Sequence, residues 1–101
     1  MLKKEGLIKY LSENKSYFRE KYFVDRMAII GSYARGDYDS NSDVDLIVYF
    51  LPEAKNHRIF RIYYNLQNDL SSHLNKNVDI IVNGKVLPAF KDLIDKEALY
   101  V

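Results

Sequence analysis

Apolar positions recur along the chain with two different periods, and the switches between them mark out the elements. From about Lys3 to Tyr22, Leu7, Ile8 and Leu11 share one helical face, and Tyr17, Phe18 and Tyr22 continue the stripe. A polar gap at Asn14 and Lys15 predicts a break between two helical pieces. The stretch Phe23 to Ile30 ends in Met27-Ala28-Ile29-Ile30, a short apolar run stopped by Gly31, and predicts a buried strand. After the polar stretch Gly36 to Ser42, the segment Asp43 to Phe50 alternates. Val44, Leu46, Val48 and Phe50 share one face there; Asp43, Asp45, Ile47 and Tyr49 share the other, and Pro52 closes the strand. From His57 to Leu74 the period turns helical, with Ile59, Ile62, Tyr63, Leu66 and Leu70 on one stripe. Asn77 to Asn83 reads as a third strand ended by Gly84. A last helix starts at Pro88 and carries Phe90, Leu93, Ile94, Ala98 and Leu99. The economical architecture is an α/β (α+β) fold, a sheet of about three strands with helices packed against it. Strand direction stays open at this level.

Composition narrows the picture without changing it. The 101 residues show no repeat and no Pro/Gly/Ser-rich linker, which predicts a single domain over residues 1–101. Fifteen Lys and Arg face fourteen Asp and Glu, and a net charge of +1 argues against binding nucleic acid by bulk charge. Without cysteine there is neither a disulfide nor a thiolate metal site, and His57 and His73 are too few for a histidine-rich one. No apolar run approaches a membrane span, and the opening MLKKEGLIKY has no signal-peptide core. A cytoplasmic location is the expectation.

Three aspartates stand where aspartate fits badly. Asp43 and Asp45 are two apart on one expected strand, so their side chains leave the same face, roughly 6 to 7 Å apart along the chain. Asp79 interrupts another apolar strand between Val78 and Ile80. Unpaired carboxylates on a sheet are costly, and three together raise one another's pKa. Each aspartate by itself reads as a turn cap or a solvated partner of an arginine. The trio predicts a hard divalent cation, Mg²⁺ with Mn²⁺ as a substitute.

Gly31-Ser32 follows the first buried strand and opens a helical turn at Tyr33-Ala34-Arg35. Glycine there lets a ligand approach the backbone closely, and the Ser32 hydroxyl and the turn's N–H groups suit a phosphate. Arg35 could add a charge-assisted contact. Taken alone, the pair is an ordinary strand-to-helix turn. The spacing changes that reading, because Gly-Ser is followed by ten residues and then Asp-x-Asp in GSYARGDYDSNSDVDLIVYF.

This string resembles the DNA-polymerase-β-type nucleotidyltransferase superfamily, marked by Gly-Ser, a spacer, Asp-x-Asp and a third carboxylate on a later strand. GSYARG and SDVDL are most similar to the minimal nucleotidyltransferases of prokaryotes. The resemblance implies a small mixed sheet flanked by helices. It implies that Gly31 and Ser32 hold the triphosphate of ATP or another nucleoside triphosphate and that Asp43, Asp45 and Asp79 bind two Mg²⁺ ions, with Asp79 the best candidate to take the proton of an attacking hydroxyl, directly or through water. Such proteins often act as antitoxins that transfer AMP to a tyrosine of a HEPN-domain ribonuclease toxin, so a toxin partner is the corresponding expectation. Two alternatives stay open, a small-molecule hydroxyl as acceptor and a nucleotide-binding antitoxin without turnover. A homo-oligomer is also left open.

The remaining residues read more plainly. Tyr33 and Tyr38 border the motif loop, where packing competes with stacking on a base, and Tyr49 shares the face of Asp45. Asp37 and Asp39 read as solvated turn residues. Lys55-Asn56-His57-Arg58 with Arg61 reads as a solvated helix start that could also meet a phosphate or RNA. Lys85, Lys91 and Lys96 read as surface charges.

Overall fold

The computed structural model describes residues 1–56, 58–82 and 88–101. The expected strand end at Asn83-Gly84, together with His57 and Lys85, lies outside the described residues, as do the side chains of Phe90 and Leu93. The chain forms α1 (Lys4–Glu13), α2 (Lys15–Tyr22), β1 (Val24–Ile30), α3 (Gly31–Arg35), β2 (Val44–Phe50), a 3₁₀ turn (Pro52–Asn56), α4 (Ile59–Leu74), β3 (Val78–Val82), α5 (Pro88–Glu97) and β4 (Leu99–Tyr100).

Asn14 divides the first two helices as the polar gap predicted. Its side-chain amide turns back to donate to the Tyr10 carbonyl at 2.7 Å, which competes with continuation of the helix. α2 ends at Phe23, a bulky residue held at φ 57. Its N–H bonds back to Phe18 and Arg19, while its carbonyl accepts from the Leu51 N–H at 2.7 Å. Those bonds fix a left-handed conformation that a phenylalanine rarely adopts. α4 ends on Asn75 at φ 52, a residue that tolerates this conformation at a helix end.

The strands form one mixed sheet in the order β3-β2-β1-β4. β1 runs antiparallel to β2 and to β4, while β2 and β3 are parallel. Parallel neighbours cannot be joined by a tight turn, so α4 supplies the crossover between them. One sheet face is covered by α1, α2 and α4. Leu7, Leu11, Phe18, Met27, Ile29, Val44, Leu46, Val48, Leu66, Leu70 and Val78 make up most of that core. Arg26, Asp45, Tyr49, Asp79 and Ile81 alternate onto the other face. Ala28 and Ile47 on that face are buried as well, so the sheet interior is apolar on both sides.

Two expectations are corrected. The sheet has a fourth strand, β4, where the periodicity carried the last helix on through Leu99. Helix α5 stops at Glu97; Leu99 and Tyr100 then pair with Ile29 and Ala28, and the Val101 N–H donates to the Met27 carbonyl. A two-residue strand is too short to show a period of its own, and only pairing to the outer edge of β1 defines it. The second correction is local, since β2 begins at Val44 and leaves Asp43 just ahead of the strand.

Candidate active site

The two central strands bring the motif together at one corner of the sheet. Ile30, the last residue of β1, pairs with Asp45 on β2, and Asp45 in turn pairs with Asp79 on β3. In-register neighbours on parallel strands project to the same side, roughly 5 Å apart at the backbone. Thus Gly31, Asp45 and Asp79 are drawn together across three strands, although 34 positions separate Asp45 from Asp79 in the sequence.

Gly31 is glycine for two independent reasons. Its φ is +72°, a left-handed value that any Cβ would strain. A Cβ built there would also stand 2.6 Å from the Asp45 Oδ2 atom. The turn therefore lies directly against the carboxylate of Asp45. Ser32 follows, half-buried, in the first turn of α3.

Asp45 is half-buried, whereas Asp43 and Asp79 are exposed. Burial pushes the Asp45 carboxyl above the usual carboxylate range, the charges of Asp79 and Asp43 push it further, and the Arg35 charge opposes them. The charges of Asp43 and Asp79 thus both act on Asp45. Among the described residues no three acidic or histidine side chains stand close enough to hold a metal ion as they are placed. Arg35 sits at the same corner, but its guanidinium is engaged by acids. It pairs with Asp37 at 3.2 Å and with Glu97 of α5 at 3.4 Å.

The loop between Gly31 and Asp45 is held from both sides by residues whose part was not legible in the sequence. Lys76, beyond the end of α4, donates to the carbonyls of Ser40 at 3.1 Å and Ser42 at 2.8 Å. At the other end, the Lys4 ammonium donates to the Ala34 carbonyl at 2.9 Å, and its backbone N–H donates to the Tyr38 hydroxyl. Tyr38 stacks on Tyr33 with ring centres 4.2 Å apart, and Tyr33 is wholly buried with its hydroxyl on the Leu2 carbonyl. These two tyrosines pack the loop. Tyr49 shares the face of Asp45 at the far end of β2, where its hydroxyl meets that of Tyr100 at 2.9 Å and Arg26 covers its ring. No local signal marks Lys76, Lys4 or Glu97, since each acts across thirty positions or more.

Comparison with known proteins identifies the family. The nucleotidyltransferase domain model matches residues 7–101. A Methanocaldococcus jannaschii protein assigned to the protein adenylyltransferases is 35% identical over 92 residues, covering 90% of each chain. The protein adenylyltransferase MntA of Thermococcus cleftensis is 27% identical across 100% of this chain and 98% of its own. A solved structure assigned as a minimal nucleotidyltransferase superposes with a TM-score of 0.80 at 26% identity, covering 97% of this chain and 95% of that one. A toxin–antitoxin structure with AMP-PNP shares the fold at TM-score 0.67 and 20% identity, over 98% of this chain and 72% of that one. A family model matched over residues 7–101, with relatives covered over nearly their whole length, makes this protein a nucleotidyltransferase that belongs to the nucleotidyltransferase domain family, among its minimal, protein-adenylyltransferase-like members.

Proposed function

We propose that the chain transfers AMP from ATP to a tyrosine hydroxyl of a partner protein, a HEPN-type ribonuclease toxin, and so serves as its antitoxin. The observation that carries this reading is the register Ile30–Asp45–Asp79, which sets the Gly31 turn and two carboxylates side by side. A protein as acceptor is supported by the relatives assigned as protein adenylyltransferases. The reading treats residues 1–101 as one minimal domain working in the cytoplasm. No helix among the described residues is long and apolar enough to cross a membrane.

In this reading Gly31 and Ser32 bind the triphosphate, with backbone N–H groups and a hydroxyl facing the phosphate oxygens. The donor set at the corner is hard carboxylate oxygen without thiolate, which fits Mg²⁺. The raised pKa of Asp45 among its acidic neighbours is the charge conflict that a cation would offset. Asp43, Asp45 and Asp79 would hold two such ions. When bound, Mg²⁺ supplies positive charge against the phosphate oxygens. Asp79, exposed at the edge of the corner, receives the proton of the acceptor hydroxyl. The hydroxyl oxygen bonds to the α-phosphorus as the bond to the departing pyrophosphate breaks. Arg35 contributes positive charge beside Asp45 while Asp37 and Glu97 fix its position.

The test is incubation with ATP, Mg²⁺ and the product of the neighbouring gene, followed by intact-mass spectrometry and peptide mapping. An AMP-sized increment on one tyrosine is expected. Transfer to a small hydroxyl compound with none to the protein would replace this reading by the small-molecule one.

A further inference from the structure

The end of the sheet away from the Gly31 corner carries the opposite charge. A cleft of about 560 Å³ opens between the end of α2 and the start of α4, lined by Lys21, Phe23, Arg58, Arg61, Ile62 and Asn65 together with the edge of Tyr22. Three of these residues are cationic and none is acidic. Arg58 and Arg61 form no ion pair among the described residues, whereas Arg19 and Arg35 are both paired with carboxylates. They also stand at the first turn of a 16-residue helix that has no acidic residue there. Cations at a helix N-terminus work against the macrodipole, so their placement does not serve the stability of α4. Next to them on the same helix, Phe60 is 73% and Tyr64 63% exposed. Beyond Phe60, an apolar groove runs between α4 and the edge strand β3, lined with Ile80 and Ile81.

Exposed aromatic side chains flanked by arginines have the composition of a protein-binding surface, where Tyr, Phe and Arg are enriched. Three cations on a chain of net charge +1 fall short of a groove that tracks a nucleic-acid backbone. An acidic occupant would also be repelled by the Asp43, Asp45 and Asp79 corner. The length of β1 separates that corner from the cleft by at least about 20 Å. The two ends would therefore orient such a partner on the sheet.

We infer that the outward face of α4, with the Lys21–Arg58–Arg61 cleft beside it, docks the protein that receives the nucleotide, through a segment bearing apolar side chains flanked by carboxylates. The inference rests on the reading above that the acceptor is a protein. The surface sets how strongly the acceptor binds, and the corner at Gly31 performs the transfer.

The experiment uses the full chain with Tyr64→p-benzoylphenylalanine for photo-crosslinking in lysate of the source cells, and labelled ATP to mark the acceptor in a parallel sample. Arg58→Glu/Arg61→Glu is compared with the unaltered chain on the purified acceptor, after equal thermal melting shows that both are folded. Crosslinking to the same protein that carries the label is expected. The charge reversal should raise KM for the acceptor about tenfold or more at unchanged kcat, with the difference shrinking as salt is added. A crosslink to an unlabelled protein, a ribonuclease-sensitive crosslink, or an unchanged KM would overturn the docking surface and leave the transfer reading standing. No labelled protein at all would overturn the protein-acceptor reading, and this surface would lose its assigned occupant with it.

Discussion

A Cβ added to Gly31 would come within 2.6 Å of Asp45 Oδ2 and 3.4 Å of its carboxyl carbon. The turn following β1 and the carboxylate on β2 thus lie against each other with no room for a side chain between them. Gly31→Ala is expected to cost about 1 to 2 kcal/mol from the left-handed backbone alone. It should also displace the Asp45 carboxylate, lowering the transfer rate at least about tenfold in a chain that still folds. Thermal melting combined with single-turnover transfer checks both parts. A Gly31→Ala protein with full activity would show that the close approach has no functional weight.

Removing the charge from Asp45 should separate stability from activity. Burial and the neighbouring Asp79 and Asp43 charges raise its carboxyl pKa, so the fold disfavours the ionised form present at neutral pH. Without divalent cation, Asp45→Asn is therefore expected to melt at the same temperature as the unaltered chain or higher. Transfer should nonetheless be lost, and added Mg²⁺ should raise the melting temperature of the unaltered chain more than that of the variant. A clear loss of metal-free stability in Asp45→Asn would mean that the carboxylate is held for structural reasons.

The helices, the three longer strands and the Gly-Ser and Asp-x-Asp signature were legible because each leaves a local mark. Leu66 and Leu70 are buried as the helical period required, and Asn14 breaks the first helix where polarity interrupted its stripe. What was not legible depends on partners distant in sequence. β4 exists because β1 has an outer edge to fill, and no period can appear in two residues. Asp43 was expected in the strand by alternation alone, yet pairing begins one residue later, where the Val44 N–H reaches the Asn77 carbonyl. Arg35 is expected to meet a phosphate because its neighbour Gly31-Ser32 suits one, and the structure also pairs it with Asp37 and Glu97. Its partner Glu97 lies 62 positions away, and no local signal could reveal it.

Lys76 tests whether the motif loop needs to be held. Its ammonium takes the carbonyls of Ser40 and Ser42, directly ahead of Asp43. Lys76→Met keeps much of the aliphatic stem and removes both bonds, at an expected cost of about 1 to 2 kcal/mol. The loop should then sample more positions, placing Asp43 less often. A severalfold fall in kcat is expected with KM for ATP changed less, whereas an unaltered rate would mean that Lys4, Tyr33 and Tyr38 fix the loop without it.

Asp69 joins α4 to α2. One of its oxygens accepts from the Tyr17 and Tyr22 hydroxyls, each at 2.6 Å, while the other faces His73 at 3.4 Å. Burial alone would raise its pKa, but the two hydroxyl bonds and the charges of His73 and Lys21 outweigh burial and leave it below the ordinary value. A carboxylate whose folded pKa is depressed adds stability that is complete above its unfolded pKa and disappears as pH falls through the folded one. The clamp is therefore expected to hold at neutral pH and to weaken in acid, below the usual aspartate range. Asp69→Asn should lower neutral-pH stability by about 1 to 3 kcal/mol, as for hydrogen bonds to a charged group. Denaturant titrations from neutral pH downward should show the two proteins converging in acid, because protonation removes from the unaltered chain the charge that the variant lacks. A gap that stayed constant across the series would assign the loss in Asp69→Asn to packing and not to the ionised carboxylate.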